Sequence, residues 1–144
     1  AEYFRNGGGM LWGEHDEDLF VGTERFFRPG YTMHLVDDWI PAMTGAKEKL
    51  EAGATVADVG CGHGASTIIL AKAFPNSRFF GYDTHDRSIE TARQRALDAD
   101  VADRVTFEVC RASELPNNGF DLICFFDCLH DMGDPVGAII ARVP

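Results

Sequence analysis

The sequence predicts an α/β fold, a parallel sheet whose strands are joined by crossover helices, and three observations carry that prediction. After Gly53 short apolar runs alternate with helical ones. The first run passes into a helix through a loop with glycines at alternate positions, Gly60, Gly62 and Gly64. The second run ends on an acid, Asp83, 19 residues beyond Gly64. Strands that are apolar throughout are buried on both faces, and helices between them supply the cover, which is the arrangement of parallel sheets.

Taken in order, residues Ala1 to Gly30 are glycine-rich, with Gly7 to Gly9 in a row, and carry scattered aromatics without a sustained period. They read as a loop-rich lead-in, separate from a domain over 31–144. From Tyr31 the residues Leu35, Val36, Trp39, Ile40 and Met43 recur at helical spacing, and Pro41 should end that helix early. Ala46 to Ala52 reads as a short helix closed by Gly53. Strands are expected at Thr55 to Val59, Arg78 to Asp83, Val105 to Cys110 and Asp121 to Phe126. The crossover helices are Ala65 to Phe74, stopped by Pro75-Asn76, and Asp86 to Ala99, with Ile89, Ala92, Ala96 and Leu97 on one face. A last helix is expected at Val136 to Val143; with no methionine at the start and a stop inside this stretch, both ends look cut from something longer.

Composition narrows the functional classes. With 23 acidic residues against 13 basic ones the chain carries a formal charge of -10, which repels phosphate backbones and argues against nucleic acid binding by this segment. No apolar stretch approaches the roughly 20 residues that span a bilayer. The four cysteines, Cys61, Cys110, Cys124 and Cys128, lack a disulfide-rich spacing, so a reducing cytoplasm is the expected location. No Cys-x-x-Cys or paired-histidine spacing is present, and no metal site is expected.

The glycines of Asp58-Val59-Gly60-Cys61-Gly62-His63-Gly64 let the backbone turn tightly at the carboxyl end of a strand, where ligands of open α/β sheets bind. That spacing also fits a dinucleotide loop, so charge decides. Asp58, at the strand end, calls for a cation if it is to be buried. A dinucleotide brings a pyrophosphate to the loop, whereas S-adenosylmethionine brings an ammonium and a sulfonium. Capping of loop amides is the plainer role for Asp58. Asp83 is placed to accept from both hydroxyls of a ribose, or else to cap the helix that starts near Asp86. Thr84 and His85 follow it and could flank the base.

Asp-Val-Gly-Cys-Gly-His-Gly followed by Gly-Tyr-Asp resembles the first motif and the following acid of class I S-adenosylmethionine-dependent methyltransferases, over about Thr44 to Pro135. The resemblance implies a Rossmann-like sheet of order 3-2-1-4-5-7-6, of which four of the usual seven strands are present. It places Asp58, Gly60, Cys61, Gly62, Gly64, Asp83, Thr84, Ala112, Ser113 and Phe126 at the cofactor. The stretch Asp-Cys-Leu-His-Asp-Met-Gly-Asp-Pro is similar to a subgroup whose methyltransferase domain follows a winged-helix segment. One departure stands out: where the family has a Gly-Asp-Ala step whose acid accepts from the adenine amino group, this chain has Cys110-Arg111-Ala112, and a guanidinium accepts nothing.

The implied activity is methyl transfer to a small-molecule acceptor. Displacement at a sulfonium methyl is driven largely by positioning and desolvation. If the acceptor is a hydroxyl, His130 is the candidate base, with Asp127 beside it. Their plainer roles are a loop hydrogen bond and a helix cap. Trp12, Phe20, Phe26 and Phe27 either cover an apolar acceptor or pack a loop-rich arm. A non-catalytic module that senses S-adenosylmethionine and a nicotinamide-dependent oxidoreductase are the rival readings. The strand Asp121 to Phe126 should stand at an open edge, covered by further chain or by a partner such as a second copy.

Overall fold

The computed structural model describes residues 2–7, 9–116 and 119–140. Gly8 of the lead-in and residues 141–143 of the last expected helix lie outside the described residues. A short helix α1 (Glu2–Asn6) and a 3-10 turn (Trp12–Glu14) precede α2 (Glu17–Gly30). α2 runs without a break into a π-helical segment, Tyr31–Trp39, and then α3 (Ile40–Ala42). Next come α4 (Ala46–Ala52), β1 (Thr55–Val59), α5 (Ala65–Ala73), β2 (Arg78–Asp83), α6 (Asp86–Asp98), β3 (Val105–Val109), β4 (Leu122–Cys124) and α7 (Pro135–Ile140).

The loop-rich reading of residues 1–30 is corrected over its second half, and the boundary at Gly30 falls inside one helical run. One local signal favours this helix and another opposes it. Asp16 caps it by accepting from the Asp18 amide at 3.0 Å, an ordinary start signal. Pro29 and the glycines within it lower its helical propensity, and tertiary packing overrides them. Pro29 and Pro41 flank the π-helical segment, each lacking the N–H that an ordinary α-helical ladder would use.

The four strands are all parallel, in the order β3-β2-β1-β4, with Asp58 opposite Gly81 and Cys124, and Asp83 opposite Val109. β1 alternates as a strand must: Val56 joins the larger core with Leu35, Leu50, Leu70, Phe79 and Ile89, while Ala57 and Val59 join Tyr82 and Leu115 on the other face. Helices therefore cover one face and loops the other. Fully burying a side chain such as Leu70 or Ile89 stabilises the fold by about 1.5–3 kcal/mol. On α6, Ile89, Ala92 and Ala96 are buried as expected, but Leu97 is 62% exposed and does not belong to that face. β4 is an edge strand among the described residues, and it is shorter than the expected Asp121 to Phe126. No helix of the described residues is long and apolar enough to cross a membrane.

Candidate functional site

The carboxyl ends of all four strands open into one cleft of about 1190 Å³. Its floor is the loop after β1. The amides of Gly60 and Cys61 both donate to the Tyr82 carbonyl, at 2.7 and 3.1 Å, and this ties the loop to β2. The Gly62 amide donates to Asp83 Oδ2 at 2.9 Å, and the His85 amide donates to Asp83 Oδ1 at 2.9 Å. Asp83 is thus only 8% exposed, aligned by two backbone donors, and still on the cleft wall. Each carboxylate oxygen keeps a further lone pair for a ligand.

The loop glycines serve different ends. At Gly62, with φ +52°, a Cβ would meet nothing within 4 Å, so the backbone faces open cleft. At Gly64, with φ +76°, a Cβ would lie 2.6 Å from Phe107 Cζ and 3.0 Å from Ala92 Cβ; this glycine lets the loop press on β3 and α6. Gly60 lines the cleft, with Cys128 of the β4 loop packed against it.

Asp58 stands behind this floor. It is 1% exposed, and its Oδ2 accepts from Ser66 Oγ at 2.6 Å and Thr67 Oγ1 at 2.7 Å, both on α5. Neither Asp58 nor Gly64 is on the cleft wall, unlike Gly60, Cys61 and Gly62. Asp58 Oδ1 is buried without a hydrogen-bond partner among the described residues, and burial raises the carboxyl pKa against the lowering by the two hydroxyls. Burial also pushes the thiols of Cys124 and Cys128 up to about 12, with Asp58 adding to the effect. These cysteines are protonated packing groups rather than nucleophiles.

Thr84 lines the cleft after β2, and Cys110, Arg111, Ala112 and Ser113 line it after β3. His85 does not; its ring stacks on Phe20 with centroids 4.1 Å apart and donates to or accepts from Ser88 Oγ at 2.9 Å. After β4 the wall is Phe126, Asp127 and His130. Asp127 has φ +53°, a left-handed conformation that aspartate tolerates better than most residues. His130 lies 3.9 Å from Asp127 Oδ1 and 3.5 Å from Asp131 Oδ2, with its side chain 64% exposed.

Met132 to Asp134 and Gly137 and Ala138 of α7 continue the wall, and another side of it comes from α2 and its π-helical extension, through Phe20, Thr23, Glu24, Phe27 and Tyr31. Their spacing of three and four is a helical stripe, the signal that would have found them. Trp12 joins them, whereas Phe26 points to solvent. Tyr31 also packs on Phe126, with centroids 5.4 Å apart, and burial, aided by Asp58 and Asp127, pushes its hydroxyl up to about 12. Glu24 pairs with Arg95 of α6 at 2.9 Å, fastening α2 over the cleft. Among the described residues no three metal-binding side chains converge.

Comparison with known proteins agrees with this architecture. A family model described as a methyltransferase domain matches residues 50–140. The chain is 39% identical over 127 residues to the 27-O-demethylrifamycin SV methyltransferase of Amycolatopsis mediterranei, a match covering 87% of this chain and 44% of that protein. A solved structure from Methanococcus maripaludis superposes with a TM-score of 0.71 at 22% identity, over 92% of this chain and 60% of that one, which establishes the shared fold. PKMT2 from Rickettsia typhi, solved in complex with AdoHcy, superposes with a TM-score of 0.56 at 26% identity, over 63% of this chain and 18% of that one. The chain thus spans less than half the length of the rifamycin relative. By the match over 50–140 and the identity across most of its length, the chain belongs to the methyltransferase domain family.

Proposed function

We propose that this chain binds S-adenosylmethionine in the cleft and provides the cofactor-binding part of an enzyme that methylates a small-molecule acceptor. The observation that carries the reading is Asp83, a buried carboxylate aligned by the amides of Gly62 and His85 and facing the cleft beside a glycine with open space above it. A ribose presents two adjacent hydroxyl donors, which suits a carboxylate, and the open backbone at Gly62 admits a ligand close to it. The bound sulfonium supplies an activated methyl group.

The chain's own residues do the rest. Asp83 orients the ribose, Gly60, Cys61 and Gly62 form the floor, and Thr84, Ala112 and Ser113 border the base. Phe27, Tyr31 and Phe126 exclude water from the acceptor side, which matters because displacement at the methyl gains from desolvation. His130 takes the acceptor proton when the acceptor is a hydroxyl, with the carboxylates of Asp127 and Asp131 3.9 and 3.5 Å from its ring. Asp58 acts from behind, holding the start of α5 through Ser66 and Thr67. The acceptor class follows the rifamycin relative, whose name gives a small-molecule substrate. Free thiols at all four cysteines suit a reducing compartment such as the cytoplasm.

The test is a calorimetric titration with S-adenosylmethionine, S-adenosylhomocysteine and NAD. Binding of the first two without NAD is expected, because a pyrophosphate meets Asp83 and Asp127 on a wall where, among the described residues, Arg111 is the one Lys or Arg. Preferential binding of NAD would overturn the reading.

A further inference from the structure

The base end of the proposed cofactor site has unusual donor chemistry, and the inference below rests on that proposed function. The sheet order β3-β2-β1-β4 puts the ends of β3 and β4 on opposite flanks of the cleft, with Asp83 and the glycine loop between them. On the β4 flank the wall carries Asp127, Asp131 and Asp134; on the β3 flank it carries Arg111 and Glu114. A ligand whose ribose sits on Asp83 extends both ways. Its sulfonium and ammonium are stabilised toward β4, where the described wall residues include three acids and no Lys or Arg, so its uncharged base lies over the end of β3, where Arg111 and Glu114 offset each other.

Arg111 is fixed there by its backbone. It follows Cys110, whose amide donates to the Asp83 carbonyl at 2.9 Å, and it precedes the 3-10 turn Ala112–Glu114, whose Glu114 amide donates to the Arg111 carbonyl at 2.9 Å. Arg111 is exposed and lines the cleft. A guanidinium has five donors and no acceptor. At adenine it can donate only to a ring nitrogen, because the 6-amino group is itself a donor, whereas the 6-oxo group and N7 of hypoxanthine are adjacent acceptors that fit its fork.

We infer that Arg111 sets the base preference of the site, and that the cleft accepts a 6-oxopurine nucleoside about as well as adenosine. A site that reads a ligand amino group through a buried acceptor rejects analogues lacking it by large factors, and a donor at that place removes the discrimination. Glu114 is the competing acceptor, since it lines the same flank.

The experiment measures equilibrium binding of S-adenosylhomocysteine and S-inosylhomocysteine to the 144-residue chain, to Arg111→Asp, to Arg111→Leu and to Glu114→Gln. The unaltered chain is expected to bind the two within about threefold of each other, and Arg111→Asp to favour adenosine by about tenfold or more. Arg111→Leu should weaken the inosine compound more than the adenosine one, and Glu114→Gln should leave the ratio unchanged. A preference of the unaltered chain for adenosine near a hundredfold, or a ratio that Arg111→Asp does not move, overturns the inference and leaves the cofactor reading standing. An adenosine preference in the unaltered chain that Glu114→Gln abolishes assigns the base contact to Glu114 and also overturns the inference. Binding of neither compound would overturn the cofactor reading as well. Arg111 is exposed, and the circular dichroism of each variant reports whether its fold is kept.

Discussion

Asp83 and His130 border the same cleft but are held in different ways. Asp83 is 8% exposed, with both carboxylate oxygens fixed by backbone amides at 2.9 Å. The His130 side chain is 64% exposed and meets carboxylates only at 3.5 and 3.9 Å, beyond good hydrogen-bond length. The Asp83 flank is therefore already assembled, which spares the ordering cost of binding a ligand there. The β4 flank is arranged loosely, and under the proposed function its histidine acquires a defined partner when an acceptor is present.

The largest expected effect lies on the loose flank. Replacing His130 by Gln in the active protein should slow turnover on a hydroxyl acceptor by about a hundredfold or more, while the affinity for S-adenosylhomocysteine stays unchanged. The pH–rate profile should lose its acidic limb. A retained limb would show that the proton leaves by another route and that His130 only packs.

On the assembled flank the effect is on stability, and two glycines of one loop separate packing from ligand contact. Gly64→Ala places a methyl group 2.6 Å from Phe107 Cζ at a positive φ, and chemical denaturation should report a loss of about 2–4 kcal/mol. Gly62→Ala meets only open space and should lose about 1–2 kcal/mol from its backbone conformation. Equal losses would mean that the loop does not press on β3 as described.

Asp58 gives the smallest effect, seen as a pH dependence. Its carboxyl pKa in the folded chain is raised above 3.8 by burial, so the folded state holds its proton more tightly than the unfolded state. Its contribution to stability is complete below 3.8 and falls as the pH rises through the folded value. Asp58→Asn keeps an acceptor for Ser66 and Thr67 but cannot ionise, so its unfolding free energy should not fall over that window. Parallel stability curves for the two proteins would remove Asp58 as a buried titrating group.

The same contrast explains what was legible in the sequence. β1 and β2 were read at their observed bounds, and the order of all four strands agrees with the expected one, because buried parallel strands are set by local apolar runs and by glycines at fixed offsets. Asp83 ends β2 as expected, because its place at a strand end is a local fact. The placement of Asp58 behind the floor was not, since a strand's alternation gives a face but does not say that Ser66 and Thr67 will claim the carboxylate. The wall formed by Phe20, Glu24, Phe27 and Tyr31 was hidden by Pro29 and by the glycines around it, although Asp16 and the three-and-four spacing were in view. Leu97, placed on the buried face of α6, is exposed because among the described residues the sheet ends at β3.

The claim that Asp83 anchors a ribose is tested most directly by pairing a change in the protein with a change in the ligand. Calorimetry would compare S-adenosylhomocysteine with its 2′-deoxy analogue on the unaltered chain and on Asp83→Ala. Loss of one charge-assisted hydrogen bond should weaken the deoxy compound by about tenfold or more on the unaltered chain, and Asp83→Ala should weaken the parent compound further still. On Asp83→Ala the two compounds should then bind alike, because the partner of the missing hydroxyl is gone. An undiminished penalty for the deoxy compound on Asp83→Ala, or parent binding as tight as to the unaltered chain, would contradict the assignment of Asp83 and with it the proposed orientation of the cofactor.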